Sequence, residues 1–206
     1  STQGANRAAI AAEPHALDRL VALLSSNSKG VQSNAARMLG ILAAEYGKQA
    51  AISTLPSVAM ISVSRAVNRL VVMLTCSNKA VECDAAWALG RLADHNASCA
   101  AIAAVPQAIE RVVTLLSIWD ESVQWAATHV LGKLALWDTH RAAIAASPEA
   151  LGRLEALLNS GNENVQEDAA FTLKNIATDG AYHAAIAAAP RIDDRWMVLL
   201  TSQNAY

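Results

Sequence analysis

Apolar residues return along this chain at helical spacing and never in sustained alternation. Between Ala16 and Leu24, the residues Leu17, Leu20, Leu23 and Leu24 are assigned to one face, and the spacing predicts a helix. A polar turn follows, Ser25-Ser26-Asn27-Ser28-Lys29-Gly30. From about Val31 to Ala44, at 100° per residue, Val31, Ala35, Leu39 and Leu42 share an apolar face, which predicts a longer helix. Ahead of both, Asn6 to Ala12 reads as a short helix that stops before Pro14, because proline disfavours helical geometry in its predecessor. No segment alternates with period two, so essentially no strand is expected.

This three-helix pattern recurs. Ala-Ala-Ile ends at Ile10, Ile52, Ile102, Ile144 and Ile186, in steps of 42, 50, 42 and 42 residues. A proline stands four residues after each Ile, at Pro14, Pro56, Pro106, Pro148 and Pro190. Arg19, Arg69, Arg111, Arg153 and Arg195 keep the same phase, and Val31, Val81, Val123 and Val165 open the third helices. The single long step is the same unit with eight extra residues, Ser57 to Ser64, apolar enough to extend a helix, fold onto the array or form a partner-specific lobe. The chain is therefore read as one repeat domain, 1–206, with units at about 5–46, 47–96, 97–138 and 139–180 and a partial fifth at 181–206. No unit buries its apolar face alone, so neighbours must stack around a continuous core.

Composition narrows the partners. Aromatics make up only 4 % of residues, so the interior must be aliphatic and rich in Ala, which lets helices approach closely. Net charge is −2, without long runs of one sign, which argues against nucleic acid as a ligand. No stretch approaches the ~20 apolar residues of a membrane span. Cys76, Cys83 and Cys99 form no paired framework, which suits a reducing compartment; the cytoplasm is expected, with nucleus and organelles left open. His95 and Cys99 are four apart but straddle the break between units, so no metal site and no cofactor are expected. No phosphate loop or nucleophile elbow appears, and no catalytic residues are assigned.

The unit Asn-Arg-Ala-Ala-Ile…Pro…Ala-Leu-Asp-Arg-Leu-Val-Ala-Leu-Leu…Val-Gln…Ala-Ala…Leu-Gly-Ile-Leu-Ala resembles an armadillo repeat, similar to units of importin-α, β-catenin and plant armadillo proteins. The resemblance covers the whole chain. It implies an all-α fold, a right-handed α-solenoid of about four full repeats and a partial fifth. It also implies an adaptor or scaffold, not an enzyme, that binds an extended peptide on the concave face lined by third helices.

Opposite the apolar face of each third helix, the angle count places Ser33, Arg37 and Ile41; Cys83, Trp87 and Arg91; Trp125, His129 and Lys133; and Glu167, Phe171 and Asn175. Rigid aromatics and Arg supply much of the energy at interfaces. Arg37, Trp87, Arg91, Trp125, His129, Lys133, Phe171 and Asn175 are therefore the candidate partner-binding residues, with the cations favouring an acidic or phosphorylated segment. The competing reading has Trp87 and Phe171 simply covering Ala-rich helices. The importin-α pattern of a Trp followed four residues later by Asn is broken here: Trp87 precedes Arg91, and Asn175 follows Phe171. A basic localisation signal is accordingly not the expected ligand.

Ile118 and Trp119 occupy a turn that is polar elsewhere, a possible second contact. The recurring arginines read as a solvated ridge of salt bridges, and Gly40, Gly90 and Gly132 as points where the next unit's backbone comes close. Asp194–Leu200 repeats a second helix with no third helix after it, and the chain begins at Ser1, which points to a fragment or a subunit of a larger assembly, homo-oligomeric or otherwise, joined through that open end. Two alternatives stand beside the scaffold: a structural subunit of a complex, and a nucleic-acid-acting enzyme resembling helical-repeat DNA glycosylases, for which Asp84, Glu167 and Asp168 would be the candidate carboxylates.

Overall fold

The computed structural model describes residues 15–48 and 57–178. The first helix Asn6 to Ala12, the markers Ile10, Pro14, Ile52, Pro56, Ile186 and Pro190, Arg195 and the whole partial fifth unit lie outside the described residues. Ten α-helices and no strand occupy what is described: α1 Ala16–Leu23, α2 Lys29–Lys48, α3 Ser57–Met73, α4 Lys79–Leu92, α5 Asn96–Ala103, α6 Ala108–Leu115, α7 Glu121–Leu134, α8 Asp138–Ala145, α9 Pro148–Leu157 and α10 Glu163–Ala177. Helices α5 and α8 are first helices of their units; α1, α3, α6 and α9 are second helices; α2, α4, α7 and α10 are third helices. The chain divides into two compact units, Ser1–Val112 and Val113–Tyr206.

In the amino-terminal unit, third helices α2 and α4 pack on each other, and second helices α1 and α3 do the same. In the carboxy-terminal unit, α7 packs on α10, and α10 also meets α8 and α9. The core is aliphatic. Ile102 and Ile144, the repeat markers, are completely buried, as are Leu70, Leu89, Leu131 and Leu154. On α1 the apolar face is shifted from the sequence assignment: Val21 is buried and Leu23 is 45 % exposed. Leu17, Val21 and Leu24 follow the 3.6-residue period, whereas Leu23 falls about 120° from Leu17 at ~100° per residue.

The eight extra residues extend the second helix. Ser57–Ser64 forms the start of α3, which has 17 residues against 8 in α1. Ser62 there donates to Asp18 on α1.

Third helices begin on a recurring cap. Asn78 accepts from the Val81 amide, Asp120 from Ser122 and Val123, and Asn162 from Asn164 and Val165, satisfying amides that the helix leaves open. The Gln after the phase-marking Val closes the preceding turn, with Gln32 donating to the Ser26 carbonyl at 2.8 Å and Gln166 to that of Ser160.

Of the recurring arginines, Arg19 and Arg69 are exposed as a solvated ridge requires, whereas Arg111 and Arg153 are not free in solvent. Arg111 donates to the Val71 carbonyl at 3.2 Å, and Arg153 to that of Val113 at 2.7 Å. Each guanidinium thus serves the carbonyl end of the preceding unit's second helix, where a cation also complements the helix dipole. Glu149, one turn back on α9, holds Arg153 in an ion pair.

Gln107, between α5 and α6, is the one described non-glycine residue with positive φ, at 61°. A Cβ in that region costs roughly 1 kcal/mol. Gln107→Gly should therefore raise stability by about 0.5–1 kcal/mol in urea unfolding, because its side chain is exposed and loses little. A destabilised variant would show that this side chain holds the turn.

Candidate recognition surface on the third helices

Positions two, six and ten residues after each phase-marking Val all retain solvent access. Arg37, Glu167 and Phe171 are exposed; Ser33, Ile41, Cys83, Trp87, Arg91, Trp125, His129, Lys133 and Asn175 are half-buried. The buried flank of each helix forces this outcome, since α4 alone buries Val81, Ala85, Ala88, Leu89 and Leu92.

In the amino-terminal unit, Asp84 on α4 is 8 % exposed. It accepts from the Ser33 hydroxyl and from Arg37, whose Nε lies 3.0 Å from Oδ1. A carboxylate so enclosed needs this charged partner. The Arg37 side chain nevertheless stays 61 % exposed, so part of the guanidinium remains presented. Arg91 pairs with Asp94 one turn on at 3.5 Å. Trp87 leans across the preceding third helix: a Cβ on Gly40 would come within 2.4 Å of its ring and 3.0 Å of the Ala88 Cα. The close approach expected at Gly40 is therefore made chiefly by an aromatic ring, not by backbone.

The carboxy-terminal unit repeats the scheme. A Cβ on Gly132 would lie 3.0 Å from Thr172 Oγ1 and 3.1 Å from the Phe171 ring. Asp168 on α10 stands where Asp84 stands on α4, and His129 stands where Arg37 stands. His129 Nδ1 is 3.1 Å from Asp168 Oδ2. The imidazole stacks on Trp125 at a centroid distance of 5.3 Å. Asn175 Nδ2 is enclosed and has no acceptor among the described residues. Its backbone carbonyl accepts from Arg141 at 3.3 Å.

From sequence, Asp84 and Asp168 stand only as candidate catalytic acids, yet they orient Arg37 and His129 on the surface. Their separation of two units was the available signal. The aromatics turn out to be both covered and presented: Trp87 and Phe171 seat on glycines while keeping an accessible face. Of the second contact, Ile118 is half-buried and Trp119 is 99 % exposed. His95, a candidate ligand in the sequence, occupies the N-cap position of α5 without a side-chain cap bond and has Nε2 3.1 Å from the Ala43 carbonyl, while the Cys99 thiol donates to the Ala93 carbonyl. Among the described residues no three His, Cys, Asp or Glu side chains converge as a metal site requires, and no single helix is long and apolar enough to cross a membrane.

Stacked three-helix units with third helices side by side define a helical-repeat protein, and the solved structures agree on which kind. An engineered protein of the Northeast Structural Genomics Consortium is 32 % identical at a TM-score of 0.69, over 84 % of this chain and 67 % of its own. A designed armadillo repeat protein in complex with the peptide (KR)4 matches at 18 % identity and TM-score 0.69, over 98 % of this chain and 90 % of its own. A chain from work on a phosphorylation switch controlling the interaction between cadherin and β-catenin matches at 18 % identity and TM-score 0.72 over 91 % of this chain, which spans 33 % of that one. No protein-family model matches, and no curated protein does. The fold is an armadillo-like repeat fold, the all-α repeat class expected from the sequence.

Proposed function

We propose that this protein is a binding scaffold, not an enzyme, whose third helices receive an extended segment of a protein partner. The observation that carries the reading is the repeated arrangement of accessible aromatics on glycine seats. Trp87 packs over Gly40 and Phe171 over Gly132 before any ligand arrives, which lowers the side-chain freedom to be lost on binding. Trp125 and His129 add a stacked pair held by Asp168. A designed relative of the same fold is in complex with the peptide (KR)4, which supports a peptide as the class of ligand.

Charge directs the choice of peptide less than composition suggests. Arg37 and Arg91 already face Asp84 and Asp94, so an acidic or phosphorylated ligand would have to share them. Affinity for such a segment should be modest and fall with salt, with aromatic contacts carrying the larger part.

The test is a peptide-library selection against the intact chain. Joint replacement of Trp87 and Trp125 by Ala should weaken the selected peptide about tenfold or more. Because Trp87 also packs on Gly40, Trp125→Ala alone is the cleaner variant. Unchanged affinity in folded variants removes the proposed role of these third-helix aromatics. A second reading, a structural subunit held through a separate contact, is favoured by the full exposure of Trp119. Gel filtration of the purified chain separates the two, since only the second demands a stable assembly.

A further inference from the structure

Away from the third helices, a cleft of about 360 Å³ opens between α1 and α3, lined by Val21, Ala22 and Ser25 on one side and Arg65, Asn68 and Arg69 on the other. That volume lies within the range of small-ligand sites. None of the six lining residues is acidic. The repeat itself supplies the comparison. Arg69 keeps the phase of Arg111 and Arg153, both of which donate to a carbonyl of the preceding second helix. In the same register its target would be the Val21 carbonyl, at the edge of this cleft. Neither Arg65 nor Arg69 has a hydrogen-bond or ion-pair partner among the described residues.

The residue four before each of these arginines differs in sign. On α9 it is Glu149, which pairs with Arg153. On α3 it is Arg65, so two guanidiniums stand one turn apart. Like charges at this spacing destabilise a helix by a few tenths of a kcal/mol, and an anion between them reverses the sign of that contribution. On the opposing side stand the carbonyl end of α1, roughly half an electron, and Asp18, one turn before Ala22 and held by Ser62, so the two guanidiniums keep an excess of positive charge. Asn68 Nδ2 already donates to the Ser64 carbonyl at 2.9 Å, which leaves one of its hydrogens; the Ser25 hydroxyl offers a further donor, and Val21 and Ala22 make an apolar wall.

We infer that the cleft between α1 and α3 is an anion site that takes a dianionic phosphate group, held by Arg65 and Arg69. Two forked guanidiniums match a phosphate dianion in charge and geometry better than a single carboxylate. The site goes beyond the peptide surface and does not depend on it, since it uses second helices alone.

The test is thermal unfolding of the intact chain with inorganic phosphate, O-phosphoserine, acetate or chloride at matched ionic strength. With a dissociation constant on the order of 1 mM, 10 mM phosphate should raise Tm by about 3–5 °C over chloride. A larger shift with O-phosphoserine marks a phosphorylated side chain as the natural occupant; a shift with inorganic phosphate alone marks the free ion. Arg65→Glu recreates the Glu149–Arg153 arrangement, so it should raise the ligand-free Tm by roughly 1–2 °C and abolish the phosphate response. That separates loss of binding from loss of folding. Equal shifts in phosphate and chloride, no shift in either phosphate form, or a phosphate response that survives Arg65→Glu would each overturn the site and leave Arg69 a helix-end donor like its counterparts.

Discussion

Gly40→Ala should destabilise the amino-terminal unit by about 2–3 kcal/mol, while Gly152→Ala should stabilise the protein by about 0.5–1 kcal/mol. Both glycines sit inside helices, so propensity alone predicts the same gain at each. What differs is the space outside the helix. A Cβ at Gly40 meets the Trp87 ring at 2.4 Å and the Ala88 Cα at 3.0 Å, whereas one at Gly152 meets nothing within 4 Å. The ring can swing away only by leaving its seat, and the backbone of α4 can give only by separating two packed third helices. Urea unfolding of both variants measures the contrast. Trp87→Ala should absorb most of the Gly40→Ala penalty, a non-additivity that identifies the ring as the obstacle. Gains of similar size at both glycines would mean that Trp87 is not seated on α2, and the preorganised aromatic of the proposed recognition surface would go with it.

Ile144→Ala should cost about 3 kcal/mol and lower Tm by roughly 6–12 °C. Ile144 is completely buried, on a helix of only eight residues. A helix so short has no stability of its own in water and persists only because its apolar side chain is held by neighbours. Removing that anchor should do more than lower the global midpoint. Amide hydrogen exchange across Asp138–Ala145 should accelerate more than exchange in α9 or α10, because α8 loses its attachment before the unit unfolds. Ala143, next in the chain and exposed, provides the control: Ala143→Ser should change stability by less than about 0.5 kcal/mol. A loss below 1 kcal/mol at Ile144 would show that the Ala-Ala-Ile marker is not the attachment point of first helices.

Much of this architecture was legible because repetition multiplies a weak local signal. One Ala-Ala-Ile says little, but the same triplet in phase with a proline, an arginine and a valine defines unit length and helix order. Helix bounds followed within a few residues: Ala16–Leu24 was read against Ala16–Leu23, and Val31–Ala44 against Lys29–Lys48. The insertion is compatible in sequence with three roles, and in the structure it lengthens α3. The periodic caps at Asn78, Asp120 and Asn162 carried an equally plain signal that the marker residues overshadowed.

Side-chain roles were less legible wherever they depend on a neighbour 40 to 50 residues away. The arginines looked solvated beside acidic neighbours in sequence, yet Arg111 and Arg153 reach back to carbonyls of the previous second helix. Asp84 and Asp168 looked like isolated acids until packing set them against Arg37 and His129. The phase of apolar residues within one helix determined, from sequence alone, that this chain is a helical repeat and which positions keep access to water, because a 3.6-residue period leaves each helix one face to bury. Which exposed cation finds a carboxylate, which glycine receives a ring and which pair of arginines is left without partners were decided by the tertiary structure, since stacking brings together side chains that no local periodicity relates.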